Sequence, residues 1–106
     1  MVQLNNYARK IGIGRDGTVR YEWKVFIDED EETLNKIDHV EYLLHPTFPH
    51  PRRVAHNREG KFALRTRGWG KFTIKAMIFF KDETKERVTY ELDFEKPWPN
   101  SNRPTG

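Results

Sequence analysis

Two short motifs, at residues 45–49 and 68–72, each combine a large aromatic side chain with residues that form turns. The first reads His-Pro-Thr-Phe-Pro and the second reads Gly-Trp-Gly-Lys-Phe. An aromatic ring between Pro or Gly residues is expected on a loop, and loops carry a disproportionate share of binding residues. The two motifs therefore predict one aromatic slot that is lined by two loops.

Catalytic and metal chemistry is not indicated by the remaining residues. The chain has no cysteine, which excludes disulfides, thiol nucleophiles and thiolate metal sites. Its four histidines, at positions 39, 45, 50 and 56, have no metal-ligand spacing, and no Gly-rich phosphate loop is present. We therefore expect a protein that is not an enzyme and that binds no metal or cofactor.

Charge is distributed unevenly along the 106 residues, whose net charge is +3. Residues 28–32 are all acidic and are expected to form a solvated loop. Residues 52–75 carry eight basic side chains against the single acid Glu59. The basic residues are Arg52, Arg53, Arg58, Lys61, Arg65, Arg67, Lys71 and Lys75. A surface of this sign would favour an acidic or phosphorylated partner and repel cationic peptide tails.

Alternation of apolar and polar residues indicates the elements that must position the two motifs. Period two is clear over residues 21–27, 40–44, 72–80 and 88–94, as expected for antiparallel strands covered on one face. Glu22 and Lys24 are assigned to the solvent face and Trp23 to the core. Many short strands of this kind predict an all-β, antiparallel β-sandwich with one domain, and a small barrel is the alternative.

Weaker signals complete the chain. Further strands are predicted over residues 52–55 and 61–66, a helical turn over residues 32–36, and a hairpin connection around Asp82. We expect residues 1–13 to form an N-terminal extension or edge strand, residues 14–96 the sandwich, and residues 97–106 a flexible tail or linker. No apolar run is long enough to span a membrane, and no signal peptide is recognised. We expect a cytoplasmic protein without membrane contact.

The order of the motifs resembles the YEATS domain family. The resemblance is carried by Leu-His-Pro-Thr-Phe-Pro at residues 44–49, by Thr-Arg-Gly-Trp-Gly-Lys-Phe at residues 66–72, and by Ile-Phe-Phe-Lys-Asp at residues 78–82. With the strand that contains Trp23, it covers roughly residues 20–94. It implies an immunoglobulin-like β-sandwich that recognises acylated lysine, as eukaryotic members do, through a slot between two loops.

Carried over by motif, the ligand-binding positions implied here are His45, Thr47, Phe48, Gly68, Trp69 and Gly70. A planar acyl group between the rings of Phe48 and Trp69 would gain about 0.5–1.5 kcal/mol per aromatic contact beyond its buried area. The Thr47 hydroxyl can donate to an amide carbonyl, and the glycines let a ligand approach main-chain N–H groups. His45 would orient the acceptor side of the ligand or form one wall of the slot.

Each of these residues also has a purely structural interpretation. Phe48 would plug the end of the sandwich, Trp69 would pack over it, His45 would be an ordinary loop histidine, and Gly68 and Gly70 would serve turns of positive φ. Two departures from the eukaryotic pattern, a missing Pro-Pro-Tyr type segment near residue 57 and Val19 in place of an aromatic, favour the prokaryotic branch of the family.

The sequence thus predicts a bacterial signalling or regulatory recognition module within a larger polypeptide. Its partner would be a protein or modified peptide, acidic in character. Two alternatives remain open: a structural or assembly domain with no small ligand, and a nucleic-acid-binding module that uses the basic residues 52–75 and nearby aromatic rings.

Overall fold

The computed structural model describes residues 2–68 and 72–97, which form two antiparallel sheets packed face to face. Sheet A contains three strands in the order β1-β2-β5, and sheet B contains four in the order β4-β3-β6-β7. The elements are β1 Leu4–Ile13, β2 Val19–Ile27, α1 Glu31–Asn35, β3 Ile37–Leu43, β4 Arg52–Ala55, β5 Leu64–Gly68, β6 Thr73–Phe80 and β7 Lys85–Glu91. The predicted all-β, immunoglobulin-like sandwich is confirmed.

The core lies between the sheets and is built by the predicted alternation. Trp23, Val25 and Ile27 of β2 are fully buried, and Val40 and Tyr42 of β3 face them from sheet B. Ile74, Ala76 and Ile78 of β6 are buried on the same face of sheet B. Because side chains alternate across a strand, each strand offers every second residue to this core.

Aspartate side chains stabilise two of the connections between strands by accepting hydrogen bonds from backbone N–H groups. Asp30 caps α1 by accepting a hydrogen bond from the Thr33 backbone N–H at 2.9 Å, which satisfies a donor of the first helical turn. Asp82 accepts from the Thr84 backbone N–H at 3.0 Å in the turn between β6 and β7. The predicted helical turn and the predicted hairpin around Asp82 are therefore both observed.

The prediction of a strand over residues 61–66 was wrong in its position. Lys61 and Phe62 both have left-handed backbone conformations, with φ of 59° and 54°, which a strand cannot contain. They follow a 3-10 turn, Arg58–Gly60, and β5 begins only at Leu64. The Phe62 side chain is fully buried, so its packing in the core holds this unusual backbone.

Glu22 lies on the outer face of sheet A, as the alternation predicts, but it is buried there and not exposed. Its carboxylate accepts hydrogen bonds from Arg9 Nη2 at 2.7 Å and Arg65 Nε at 2.8 Å, and these arginines cover it. Glu22 lies on the central strand of sheet A, and Arg9 and Arg65 lie on the two flanking strands. One carboxylate therefore ties all three strands together across the outer face of the sheet.

Candidate functional site

The first predicted loop connects β3 to β4 and is built around a tight turn. The Phe48 backbone N–H donates to the His45 carbonyl at 2.9 Å, with Pro46 at the second position, where proline favours a turn. The Leu44 N–H donates to the Pro51 carbonyl at 2.8 Å and closes the base of the loop. This arrangement fixes the points at which the loop leaves and re-enters sheet B.

An arginine stabilises the far side of the same loop. Arg53 Nε donates to the His50 carbonyl at 2.7 Å, and its Nη2 donates to the Pro49 carbonyl at 2.8 Å. His50 itself has a φ of 51°, so the loop carries some backbone strain that these bonds help to hold. Arg53 thus positions the loop, a role that its place in the basic segment did not indicate.

His45 and Thr47 form a local hydrogen-bonded pair within the turn. His45 Nδ1 lies 2.9 Å from the Thr47 hydroxyl oxygen and 3.3 Å from the Thr47 backbone nitrogen. Because a backbone N–H can only donate, Nδ1 acts as the acceptor, and the ring proton is assigned to Nε2. Both side chains are exposed, and Nε2 is the donor that His45 retains for other partners.

Phe48 is half-buried and joins the loop to the end of the core. Its ring meets Trp23 edge to face, with centroids 6.4 Å apart, and packs against Phe72 at 5.3 Å. These separations are typical of aromatic pairs. One part of the Phe48 side chain therefore plugs the sandwich, and the remainder is accessible at its end.

Gly68 ends β5, opposite Tyr21 of β2, and lies directly beneath Phe48. A Cβ atom placed on Gly68 would lie 3.1 Å from Phe48 Cζ, which is closer than carbon atoms normally pack. The structural alternative for this residue, a turn of positive φ, was wrong, because Gly68 has no left-handed backbone. Its lack of a side chain serves the close approach of the Phe48 ring instead.

Phe72 belongs to the same aromatic cluster but was not among the predicted site residues. Its ring lies 5.9 Å from Trp23 and 6.2 Å from His45, in addition to its contact with Phe48. The sequence placed Phe72 at the start of a strand, whereas β6 begins one residue later. Its place in the Gly-Trp-Gly-Lys-Phe motif was the signal that could have assigned it to the loop.

The structure brings Phe48 and Gly68 into contact and places His45 and Thr47 on the adjoining turn. Trp69 and Gly70 lie outside the described residues, so their part in the slot, and the expected spacing of about 5–9 Å between the Phe48 and Trp69 rings, stay predictions. We use the name aromatic site for His45, Thr47, Phe48, Gly68 and Phe72, together with Trp23 behind them.

The basic residues of the segment 52–75 do not belong to one sheet. Arg52 lies on β4 of sheet B and Arg65 on β5 of sheet A. Arg52 pairs with Glu41 at 2.7 Å, and its hydrogen bonds keep the pKa of that carboxyl below its usual value. Arg58 pairs with Glu31, and Arg65 with Glu22. The local charge is thus shared between two sheets and partly neutralised.

Two features are absent from residues 2–68 and 72–97. No cluster of three or more His, Asp or Glu side chains that could hold a metal ion occurs there. In the same part of the chain, no helix combines the length and the apolar character needed to cross a bilayer.

The two-sheet antiparallel sandwich places the chain among immunoglobulin-like β domains, and comparison with known families identifies which family it is. The model of the prokaryotic YEATS domain family matches residues 21–93. The chain belongs to this family.

Curated relatives are found among fungal proteins. The chain is 33% identical over 81 residues to transcription initiation factor TFIID subunit 14 of Schizosaccharomyces pombe, covering 71% of this chain and 33% of that protein. It is 33% identical over 93 residues to the AF-9 homolog of Eremothecium gossypii, covering 82% of this chain and 44% of that protein. The chain thus spans about a third to a half of the length of these relatives.

Solved structures of Yaf9 YEATS domains share the fold. One, a yeast AF-9 homolog, has a TM-score of 0.68 at 22% identity and covers 89% of this chain and 71% of its own. A second, recognising an H3K122suc peptide, has a TM-score of 0.67 at 23% identity, with 90% and 78% covered. A third, bound to H3K27ac, has a TM-score of 0.65 at 22% identity, with 95% and 80% covered.

Proposed function

We propose that this chain is a non-catalytic recognition module that binds an acyl-lysine-like or other small planar apolar group on a protein partner. The ligand would enter the slot between the His45–Pro49 loop and the Gly68–Phe72 segment. The observation that carries the proposal is the position of Phe48. Its half-buried ring lies over a residue without a side chain, and Phe72 and Trp23 form an aromatic wall behind it.

Polar groups beside this wall suit the amide of an acylated lysine. The Thr47 hydroxyl can turn from His45 Nδ1 toward a ligand carbonyl, and Nε2 of His45 supplies a second donor. Both residues are exposed and belong to one turn, so a ligand can reach them without opening the core. An apolar wall beside a few polar groups is the usual composition of a small-ligand site.

Relatives with acylated peptides in their structures support this function by analogy of fold. The Yaf9 domains mentioned above were solved with an H3K122suc peptide and with H3K27ac, both of which are modified histone peptides. For this chain we propose a modified peptide or protein segment as the class of ligand, presented by an acidic partner. We further propose that the module acts in a larger cytoplasmic signalling polypeptide.

The decisive experiment titrates the protein with unmodified, acetylated and crotonylated lysine peptides of one sequence and measures their dissociation constants. We expect acyl-dependent binding that Phe48→Ala weakens strongly and Trp69→Ala abolishes. Thr47→Val should weaken binding as well, and Thr47→Ser, which keeps the hydroxyl, should restore it. The matched control is Phe79→Ala, because Phe79 stacks on His39 on the outer face of sheet B, away from the aromatic site.

Two results would contradict the proposal. Equal affinity for acylated and unmodified peptides would favour an assembly domain with an empty slot. Binding of oligonucleotides that weakens steeply with salt and depends on Arg67 and Lys75, while acyl peptides do not bind, would favour the nucleic-acid alternative.

A further inference from the structure

Trp23 carries a buried polar group that the fold leaves unpaired. The residue is fully buried, and within residues 2–68 and 72–97 its Nε1 is the one buried side-chain nitrogen or oxygen without a hydrogen-bond partner. Asn6 and Tyr42, which are equally buried, both form side-chain hydrogen bonds. Buried donors are nearly always paired, so an unpaired one calls for a specific explanation.

The unpaired nitrogen lies at the floor of the aromatic site. Nε1 is 3.8 Å from the position that a Cβ of Gly68 would occupy, and Phe48 Cζ is 3.1 Å from the same point. The N–H edge of the indole and the tip of the Phe48 ring therefore lie side by side against Gly68, and the ring tip fills the space that the missing side chain leaves. Phe48, which is half-buried, lies between this space and the solvent.

We propose that the Trp23 indole N–H is a specificity-determining donor of the slot. It would donate a hydrogen bond to an oxygen atom at the remote end of the acyl chain once the ligand displaces the tip of the Phe48 ring. The preferred ligand is then an acyl-lysine whose chain carries a neutral keto or hydroxyl oxygen. This inference rests on the proposed acyl-lysine function.

The surroundings of the indole determine the class of acceptor. Trp23 packs against Phe48 and Phe72, with ring centroids 6.4 and 5.9 Å away, so the donor lies in an apolar environment. An ionised carboxylate would lose its hydration in these apolar surroundings, whereas a neutral oxygen loses much less. A plain hydrocarbon chain would fill the space and leave the donor unpaired.

Both aromatic contacts of the indole are close to edge-to-face, with interplanar angles of 78° and 68°. The competing explanation is therefore structural: the N–H points at a ring face and has a weak partner already. In that case the indole would respond equally to all acyl chains. The two explanations thus predict different selectivity among ligands of one shape.

The test uses two matched pairs of peptides, lysine-butyryl against lysine-3-oxobutyryl and lysine-pentanoyl against lysine-4-oxopentanoyl. We expect the keto member of at least one pair to bind about fivefold to tenfold more tightly, as one added hydrogen bond predicts. The Trp23 indole N–H proton should move downfield with that ligand and not with its hydrocarbon partner. Two chain lengths are used so that the oxygen is offered at two depths.

The matched variant replaces Trp23 with 3-benzothienylalanine, in which sulfur stands in place of the N–H and the ring keeps its shape. In this variant the ratio of keto to hydrocarbon affinity should fall to about one, and the replacement also assigns the Trp23 signal among the three tryptophans. Binding of the hydrocarbon peptides without any keto preference would overturn this inference and leave the proposed function intact. A keto preference that survives the replacement would exclude Trp23 as its source. Failure of all four peptides to bind would overturn both proposals.

Discussion

At the scale of single residues, the position of Phe48 depends on a neighbour that has no side chain. Gly68 is free of backbone strain, so an alanine there can adopt the same φ and ψ. Its new methyl group, however, would lie 3.1 Å from Phe48 Cζ. The effect of the substitution is therefore expected in the loop ring and not in the strand.

We predict that Gly68→Ala weakens acyl-peptide binding by about tenfold, the order of one lost aromatic contact. Unfolding should change little, because Phe48 is on a loop and can move. Peptide titration and urea unfolding measure the two effects. Gly60→Ala is the control, since its Cβ would meet the Asn57 side chain at 3.0 Å in the 3-10 turn at the opposite end of sheet A. Unchanged affinity in Gly68→Ala would show that Phe48 does not border the ligand.

At the scale of elements, Tyr42 joins β3 of sheet B to the connection that leads into β5 of sheet A. Its buried hydroxyl donates to the Phe62 carbonyl at 2.7 Å, and burial raises the pKa of this phenol well above its usual value. Phe62 is one of the two consecutive residues with left-handed backbone. The hydrogen bond therefore stabilises a segment that backbone preference alone would not hold.

We predict that Tyr42→Phe lowers the free energy of unfolding by about 1–2 kcal/mol, because the Phe62 carbonyl loses its partner while the ring stays in place. The midpoint of urea unfolding measures this effect. Tyr7→Phe is the control, since Tyr7 is half-buried against Phe26 on the outer face of sheet A. Similar midpoints for both variants would show that the Phe62 carbonyl finds another donor.

Glu22 gives the stability of sheet A a defined pH dependence. Hydrogen bonds from Arg65 and Arg9 lower the pKa of Glu22 below its ordinary value of 4.5. A carboxyl whose pKa falls on folding stabilises the fold fully above 4.5, and this contribution is lost as the pH falls through the folded-state pKa. We expect Glu22→Gln to cost about 1–2 kcal/mol at pH 7, discounted for the half-exposed arginines, and progressively less below pH 4.5.

Thermal unfolding of both proteins between pH 3 and pH 7 measures this difference. Glu91→Gln, at an exposed position at the end of β7, is the control. A Glu22→Gln effect that stays constant over this range would show that the ionised form of Glu22 does not bind the two arginines more strongly than the amide does.

Some strands and turns of this fold can be predicted from the sequence, and others cannot. Residues 52–55, the hairpin around Asp82 and the buried face of β2 follow directly from alternation and turn chemistry, which are local signals. The start of β5 does not, because the left-handed pair Lys61 and Phe62 exists only where the core holds Phe62 in place. The burial of Glu22 on the outer face was missed because its cover comes from Arg9 and Arg65, which are distant in sequence and close only after the sheet forms.

The candidate site was predictable to a similar extent. The two motifs led to Phe48 and Gly68, which the fold brings into contact. The structural role that the sequence suggested for Gly68, a turn of positive φ, was wrong, since a close approach between distant residues leaves no local signal. The unpaired nitrogen of Trp23 was equally invisible, because a tryptophan on an alternating strand gives no sign of where its N–H points.

At the scale of the whole molecule, β1 completes a sandwich that the family model matches only from residue 21. Leu4 and Ala8 of this strand are buried in the core, as is Val2 just before it. Asn6, also fully buried, donates to the Asp93 carbonyl at 3.0 Å and accepts from the Tyr90 hydroxyl at 2.6 Å, which links the first strand to the last. The segment before residue 14 is therefore part of the structure that the site depends on.

We predict that a chain starting at residue 14 loses its cooperative unfolding transition. Two buried aliphatic side chains alone contribute about 3–6 kcal/mol, and domains are stable by only about 5–15 kcal/mol in total. Circular dichroism during heating tests this loss. A chain that ends at residue 97 is the control, because it keeps every contact described here. Cooperative unfolding of the shortened chain would show that residues 14–96 are a complete folding unit.

The place of β5 in sheet A has a consequence for the motions of the protein. Among the described strands, β5 is an edge strand that pairs with β2 over residues 64–68. Its paired residues on β2 lie about 40 positions away in sequence, whereas β1 and β2 form a local hairpin. Edge segments with few pairs open at lower free energy than central strands. The amide protons of β5 should therefore exchange with solvent faster than those of β2 or β6. Gly68 is the last residue of β5, so the backbone beneath Phe48 would move away when β5 opens. A ligand bound in the aromatic site should therefore slow hydrogen exchange along the whole of β5.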